Sequence, residues 1–336
     1  MTVGVGGVLL LGAGDYGRER GRWLAARRAG LGASETAAVL GLSPWKTALG
    51  VWLNKVHGVD DDAGEAARWG NVLEHTVARE TARRWPELGK LAPSPGLLAH
   101  PEHPWMLATV DRVLVPRGKP GGDALGLLEV KTVGERMWRR EWIDGVPPAW
   151  VQVQVQQQLA VTGLRRAWVA CLVGGQKLQE PYLIERHDGV VDRIVTYAGG
   201  WWADHVDPGT AGRPEPTFAD RDRLAALWQA DDAADALVAG NDEEAAFADL
   251  LDARRRKAAA ADDEERANYR LKTAMREHTA VANSDGDVLV TWKEQTSRRV
   301  DTTAMRAKHP ELVAGFVKET PSRVFRVKKQ WEDETA

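Results

Sequence analysis

Two apolar stretches in the first half of the chain carry charge where a buried strand should not. WMLATVDRVLV (Trp105 to Val115) reads as one strand with a lone Asp111 inside it, and GLLEVKT (Gly126 to Thr132) reads as a second with Glu129 and Lys131. The Pro- and Gly-rich PRGKPGGDAL between them reads as a hairpin loop. Side chains alternate along a strand, so Glu129 and Lys131 share one face and Val130 takes the other. Upstream, GRWLAARRAG reads as a short amphipathic helix. ETAAVLG reads as a helix capped by Ser34 or Thr36, and Thr47 to His57 as another with Leu49, Trp52, Leu53 and Val56 on one face. EAARWGNVLEHTVARETARRW (residues 65–85) repeats at helical spacing and predicts a buried stripe of Trp69, Val72, Leu73, Val77 and Ala78.

Downstream, Val151 to Gln156 alternate as a strand would, but Pro147-Pro148 and the continuation QQQLA favour a helix, which is the expectation adopted. AWVACLVGG and LQEPYLIER predict two strands, followed by a helix over IVTYAGGWWADHV. DPGTAGRPEPTF (Asp207 to Phe218) marks a domain boundary. Beyond it, Asp220 to Ala282 is rich in helix formers and predicts two helices broken near Gly240, the second of them long. NSDG predicts a turn, DVLVTWKEQ a strand, Thr302 or Thr303 a helix start interrupted at Pro310, and SRVFRVKK a final basic strand.

The formal net charge of −3 announces no global basic field, so any nucleic-acid surface must be local. A single cysteine, Cys171, excludes an internal disulfide and suits a reducing cytosol. No apolar run reaches the ~20 residues a membrane helix needs. The 15 tryptophans point first to packing. Arg136, Arg139 and Arg140 with Trp138 and Trp142 form a cluster suited either to a DNA backbone or to a solvated helix face. Gly12-Ala-Gly14-Asp-Tyr-Gly17 has the outline of a dinucleotide fingerprint, with Glu35 about twenty residues on. No second buried strand follows, so residues 1–20 are expected to be a flexible leader.

Folded back on itself, the hairpin brings Asp111 beside Glu129. Two carboxylates and an ammonium on apolar strands are costly unless something charged lies between them, which points to a hard cation with a base beside it. Arg27 or Arg28, with Ser34, places a cation and a hydroxyl near a helix N-terminus, a combination that suits a phosphate. Thr109, two residues before Asp111, can add a hydroxyl there.

Asp111 followed by Glu129-x-Lys131 resembles the PD-(D/E)xK nuclease signature, with Val110 where the signature's name has proline. Three further stretches make the resemblance specific. RRAGLGASETAAVLGLSPWKTALGVW, ARWGNVLEHTVARE and QVQVQQQLAVTG are similar, in order, to motifs of the YqaJ-type viral recombinase family, relatives of lambda exonuclease. The resemblance implies an α/β restriction-endonuclease-like core over residues 21–207, with a mixed central sheet flanked by helices. A linker over 208–220 and a helical and small β appendage over 221–336 would follow. It implies a metal site of Glu74, Asp111, Glu129 and the Val130 carbonyl, holding one or two Mg²⁺ or Mn²⁺ ions, with Lys131 and Gln156 in the chemistry. It implies Arg27 or Arg28, Ser34 and Thr109 at a 5′-phosphate. The activity implied is 5′→3′ degradation of linear double-stranded DNA to leave 3′ single strands for an annealing protein, performed by a homo-oligomer without membrane association. A PD-(D/E)xK endonuclease, a Cas4-like nuclease and a non-catalytic DNA-binding protein are the competing expectations.

Overall fold

The computed structural model describes residues 5–14, 19–59, 64–118, 123–207, 212–224, 228, 236–317 and 324–332. The chain divides into two compact units, Met1–Leu224 and Ala225–Ala336. The first is the α/β class expected, with mixed sheets flanked by helices.

Its larger sheet contains β3 (Lys90–Pro93), β6 (Arg112–Val115), β7 (Gly126–Val133), β8 (Arg166–Val173), β9 (Lys177–Leu178) and β10 (Tyr182–Glu185). The strand order is β10-β8-β7-β6-β3, with β9 paired to β8. β6 and β7 form the predicted antiparallel hairpin, Arg112 opposite Leu128, and β7 runs parallel to β8 with Lys131 opposite Cys171. A smaller sheet of β1 (Val8–Gly12), β2 (Leu31–Gly32), β4 (Gly96–Ala99) and β5 (Met106–Thr109) has the order β1-β4-β5-β2.

Trp105 to Val115 is therefore not one strand. The chain leaves the smaller sheet after Thr109 and enters the larger one at Arg112, and the bend between them holds Val110, which is buried, and Asp111. A continuous apolar pattern hides such a crossing, because both strands bury their side chains.

The helix Ala149–Thr162 (α6 in chain order) packs against both sheets, and every residue from Val155 to Thr162 is buried. Its one face serves the cluster of Val151, Val155 and Leu159 with β6 to β8, and another that of Ala160 and Val161 with β2, β4 and β5. From Val155 onward the helix is buried all round, so no single-sided stripe is needed there. The polar positions are instead satisfied one by one. Gln157 donates to Leu31 O (2.8 Å) and Leu107 O (2.9 Å) and accepts from the Thr36 hydroxyl (2.5 Å), tying β2 to β5.

Four further expectations change. Residues 5–14 are not a leader: β1 pairs antiparallel with β4, Leu11 is buried, and Gly6 N–H donates to Thr162 O. Gly96 makes this pairing possible, since its φ is +123° and a Cβ there would lie 2.0 Å from Leu11 O. Among the described residues β1 pairs only with β4, antiparallel, which is not the parallel frame of a dinucleotide fold; Gly17 lies outside the described residues. On α4 (Gly64–Arg84), Val77, Ala78 and Thr81 are buried, whereas Trp69 and Val72 are exposed, so the stripe is shorter than predicted. Helix α2 (Ala33–Val39) starts earlier, capped by Gly32, so neither Ser34 nor Thr36 is its cap. The linker is shorter as well, because Phe218–Arg223 forms a 3-10 turn in the first unit and Asp220, fully buried, accepts from the Thr47 hydroxyl (2.5 Å).

In the second unit the long helix is present, Asn241–Met275, with Leu251 and Met275 as its buried residues. A hairpin of Ala280–Ala282 and Val288–Thr291 follows around the predicted turn. The next helix starts at Thr302, capped by Asp301, and the chain breaks again before Pro310. Residues 324–328 form no strand; residues 322 and 323 lie outside the described residues.

Candidate active site

At the ends of β5 and β6 opens a cleft of about 560 Å³. Arg27, Ser34, Glu74, Thr109 and Asp111, five of the ten residues singled out from sequence, line it. They come from α1 (Arg20–Arg28), α2, α4, the end of β5 and the sheet-to-sheet bend.

Asp111 sits at that bend, and its Oδ2 accepts from the Val130 N–H (2.8 Å). Val130 thus meets the site through its amide, while its side chain joins the core against Val77 and Ala78 of α4. Burial, then the Glu129 charge, then that of Glu74 push the Asp111 pKa well above the usual carboxylate value, against the opposing pull of Lys131 and the Val130 amide. Glu129 projects from the opposite face of β7 and is only 3% exposed. Its Oε1 accepts from Lys131 Nζ (2.6 Å) and Gln154 Nε2 (2.6 Å), and its Oε2 from Gln158 Nε2 (2.8 Å). Lys131 also donates to Gln154 Oε1 (2.9 Å) and lies 5.9 Å from the Trp150 ring centroid. Burial alone would lower the Lys131 pKa; the Glu129 and Asp111 charges and the Glu129 hydrogen bond outweigh it and hold the pKa above the ordinary lysine value.

Gln156, the glutamine expected here, faces elsewhere. It donates to Glu185 O (2.8 Å) and accepts from His187 N–H (2.9 Å), bracing β10. The glutamines on Glu129 are Gln154 and Gln158, spaced i, i+4 on one helix face; Gln156 lies between them and points away. That spacing was available in QVQVQQQLA.

Glu74 reaches the cleft from α4 but is held by Arg112, whose Nη1 donates to Glu74 Oε1 (2.6 Å) and also to the Asp111 carbonyl. Arg112 escaped sequence reading because it follows the conspicuous Asp111 in an apolar strand.

At the other end of the cleft, Ser34 is exposed and Arg27 lies 3.7 Å from Glu35 Oε1. Arg28 instead donates to Gly58 O (3.4 Å) and is not part of the cleft lining. Behind Arg27 lies a buried pair that the sequence did not announce: Lys55 Nζ donates to Glu35 Oε2 (2.7 Å) and to Arg27 O (2.8 Å). Glu35 Oε2 also accepts from Gly32 N–H (2.8 Å). Trp138 and Trp142 stack on each other at 5.0 Å and pack into the core, so the proposed basic–aromatic cluster contributes packing there, with Arg139 and Arg140 paired to neighbouring glutamates.

Among the described residues no three acidic, histidine or cysteine side chains converge as they stand. The donor set of Asp111, Glu129 and Glu74 is nevertheless all oxygen and fits a hard dication such as Mg²⁺ or Mn²⁺ rather than zinc. Burial is the largest cause of the raised Asp111 pKa, and the Glu129 and Glu74 charges that add to it are what such an ion would offset.

A model of the YqaJ-like viral recombinase domain matches residues 22–165. The uncharacterized protein YqaJ of Bacillus subtilis (strain 168) is 32% identical over 316 residues, spanning 92% of this chain and 94% of its own. Among solved structures, an alkaline exonuclease (LHK-Exo) from Laribacter hongkongensis is similar with a TM-score of 0.45 and 21% identity, over 55% of this chain and 91% of that one. A phage related exonuclease from Haemophilus somnus 129PT is similar with a TM-score of 0.36 and 12% identity, over 52% of this chain and 93% of that one. With near full-length similarity to YqaJ and the motifs gathered in one cleft, the chain belongs to the YqaJ-like viral recombinase family.

Proposed function

We propose that the protein is a metal-dependent nuclease that degrades linear double-stranded DNA from its 5′ ends, leaving 3′ single strands for an annealing partner in phage-type recombination. One observation carries this reading. Asp111 lines a cleft that also presents Arg27 and Ser34, and the Val130 amide joins it to the strand that carries the Glu129–Lys131 pair.

Asp111, Glu129 and Glu74, with the Val130 carbonyl, would hold one or two Mg²⁺ or Mn²⁺ ions. Such ions polarise a scissile phosphate and lower the pKa of a water nucleophile. Lys131, held by Glu129 and Gln154, would act by charge and by hydrogen bonding. Gln154 and Gln158 fix the Glu129 carboxylate, and Gln154, which lines the cleft, orients Lys131 as well. Arg27, Ser34 and Thr109 would receive a terminal 5′-phosphate. That arrangement favours chain ends over internal sites, and a homo-oligomer enclosing the duplex would keep the enzyme on its track.

The test uses linear duplex DNA with one 5′ end phosphorylated and the two 3′ ends labelled differently, in Mg²⁺, beside a closed circle and an Asp111→Asn control. Stepwise loss of the 5′-phosphorylated strand, with the circle intact and the control inactive, is expected. Cutting of the circle would move the assignment to an endonuclease. Absence of cleavage in both Mg²⁺ and Mn²⁺ would refute both.

A further inference from the structure

Arg112 occupies an unusual place for an arginine. It follows Asp111 directly, opens β6, and shares with Leu114 the sheet face covered by α4. Its side chain is only 16% exposed, yet it lines the cleft. The guanidinium is engaged on three sides: Glu74 Oε1 at 2.6 Å, the Asp111 carbonyl, and His75 Nδ1 at 3.4 Å. Glu74 comes from the α4 side of the sheet and Glu129 from the α6 side, with Asp111 between them at the strand end. Each glutamate has its own cation, Lys131 for Glu129 and Arg112 for Glu74. The two glutamates are thus each paired from within the chain.

We infer that Arg112 is a built-in competitor for the metal: Glu74 serves either the Arg112 guanidinium or a divalent cation, but not both in the same geometry. The reason is steric and electrostatic. A guanidinium donating at 2.6 Å covers the carboxylate oxygen that would ligate an ion, and a positive charge at that distance opposes a second one. Handing Glu74 over to a cation releases Arg112 into the cleft it already lines, where a DNA phosphate is the anion to hand. Arg112 is accordingly a positioning residue that sets metal affinity. The inference rests on the metal-centre reading above, and its test separates the two.

Mn²⁺ binding to the full-length protein, read by the loss of the free-ion electron paramagnetic resonance signal, needs no DNA and no turnover. Arg112→Gln is expected to bind Mn²⁺ about tenfold more tightly than the parent, the scale of removing a screened unit charge beside a dication. Arg112→Met, which retains the packing of the stem, serves if the glutamine variant folds poorly and is expected to show the same direction. A purely structural role for Arg112 predicts weaker binding instead, because Glu74 would lose its anchor. Unchanged or weaker binding in these variants, with binding abolished in Asp111→Asn, overturns the inference alone. Binding that survives in Asp111→Asn places the ion elsewhere and overturns both the metal centre and the inference.

Discussion

The first unit holds two close lysine–glutamate pairs, and they are opposites. Lys55–Glu35 (2.7 Å) stands behind the phosphate end, and Lys131–Glu129 (2.6 Å) at the hairpin end. Their geometry is nearly the same, but their charge settings differ. Lys55 is fully buried, meets one acid and has Arg27 and Lys46 nearby; burial first, then these like charges, pull its pKa below the ordinary lysine value despite Glu35. Lys131 faces two acids, Glu129 and Asp111, and its pKa is raised. Burial favours a neutral Glu35, but Lys55, Arg27 and the Gly32 amide keep its pKa below the ordinary carboxylate value. The first pair is closed: Glu35 is 6% exposed and its oxygens face groups of the protein itself. The second leaves an excess of negative charge beside the cleft, around Asp111. A pair that balances is an anchor, and a set that does not balance is a binding site for something positive.

The comparison is broken most directly at Lys131. Lys131→Met should lower the single-turnover rate of DNA cleavage about 10³-fold, the scale of losing one electrostatic stabiliser of a reacting centre. The fold should survive, because Gln154 and Gln158 still donate to Glu129. A variant that cleaves within tenfold of the parent would place the chemistry elsewhere.

Lys55→Met should do the reverse. It strands Glu35 uncompensated in the interior and should cost about 3–5 kcal/mol in chemical denaturation. Adding Glu35→Gln removes the stranded charge while keeping an acceptor for the Gly32 N–H, and should recover at least half of the loss. The pH dependence has a definite sign. Because the folded pKa of Glu35 is depressed, its ionised form stabilises the native state above the unfolded value of about 4.3, and that stability is lost as pH falls through the lower folded value. The parent's advantage over the double variant should therefore shrink on acidification below that range. A double variant no more stable than Lys55→Met would show that packing, not charge, carries the pair.

What was legible in the sequence follows from where each signal is local. Asp111, Glu129 and Lys131 announce themselves as charges in apolar strands, and their meeting follows from one hairpin. The long helix and the turn over residues 283–286 follow from composition and turn chemistry alone. Other features depend on partners far along the chain. Val8–Gly12 resembles a leader until β4, some ninety residues later, supplies its backbone hydrogen bonds. The crossing at Asp111 between two sheets cannot be seen in a run that is apolar on both sides of it. Glu35 drew notice only as the acid of a dinucleotide outline, whereas its partner Lys55 sits on a separate helix and its ordinary composition gives no sign of full burial. The family resemblance points to Gln156, whereas the helix sets the i, i+4 pair Gln154 and Gln158 against the Glu129 carboxylate.

The smallest effect concerns the adjacent arginines, which the sequence could not tell apart. One helix carries both, so their side chains diverge by about 100°. Arg27 lines the cleft and leans on Glu35 at 3.7 Å, half-exposed and able to turn to an incoming anion; Arg28 is directed to Gly58, at the end of the helix Ala48–His57. Arg27→Ala should therefore erase about tenfold of the preference, in KM, for a 5′-phosphorylated over a 5′-hydroxyl duplex end, the worth of one charge-assisted contact. Arg28→Ala should leave that ratio unchanged. Should Arg28→Ala abolish the preference while Arg27→Ala retains it, the phosphate end of the cleft would have to be relocated towards Gly58, and the Glu35–Lys55 pair would no longer be the support of a binding residue.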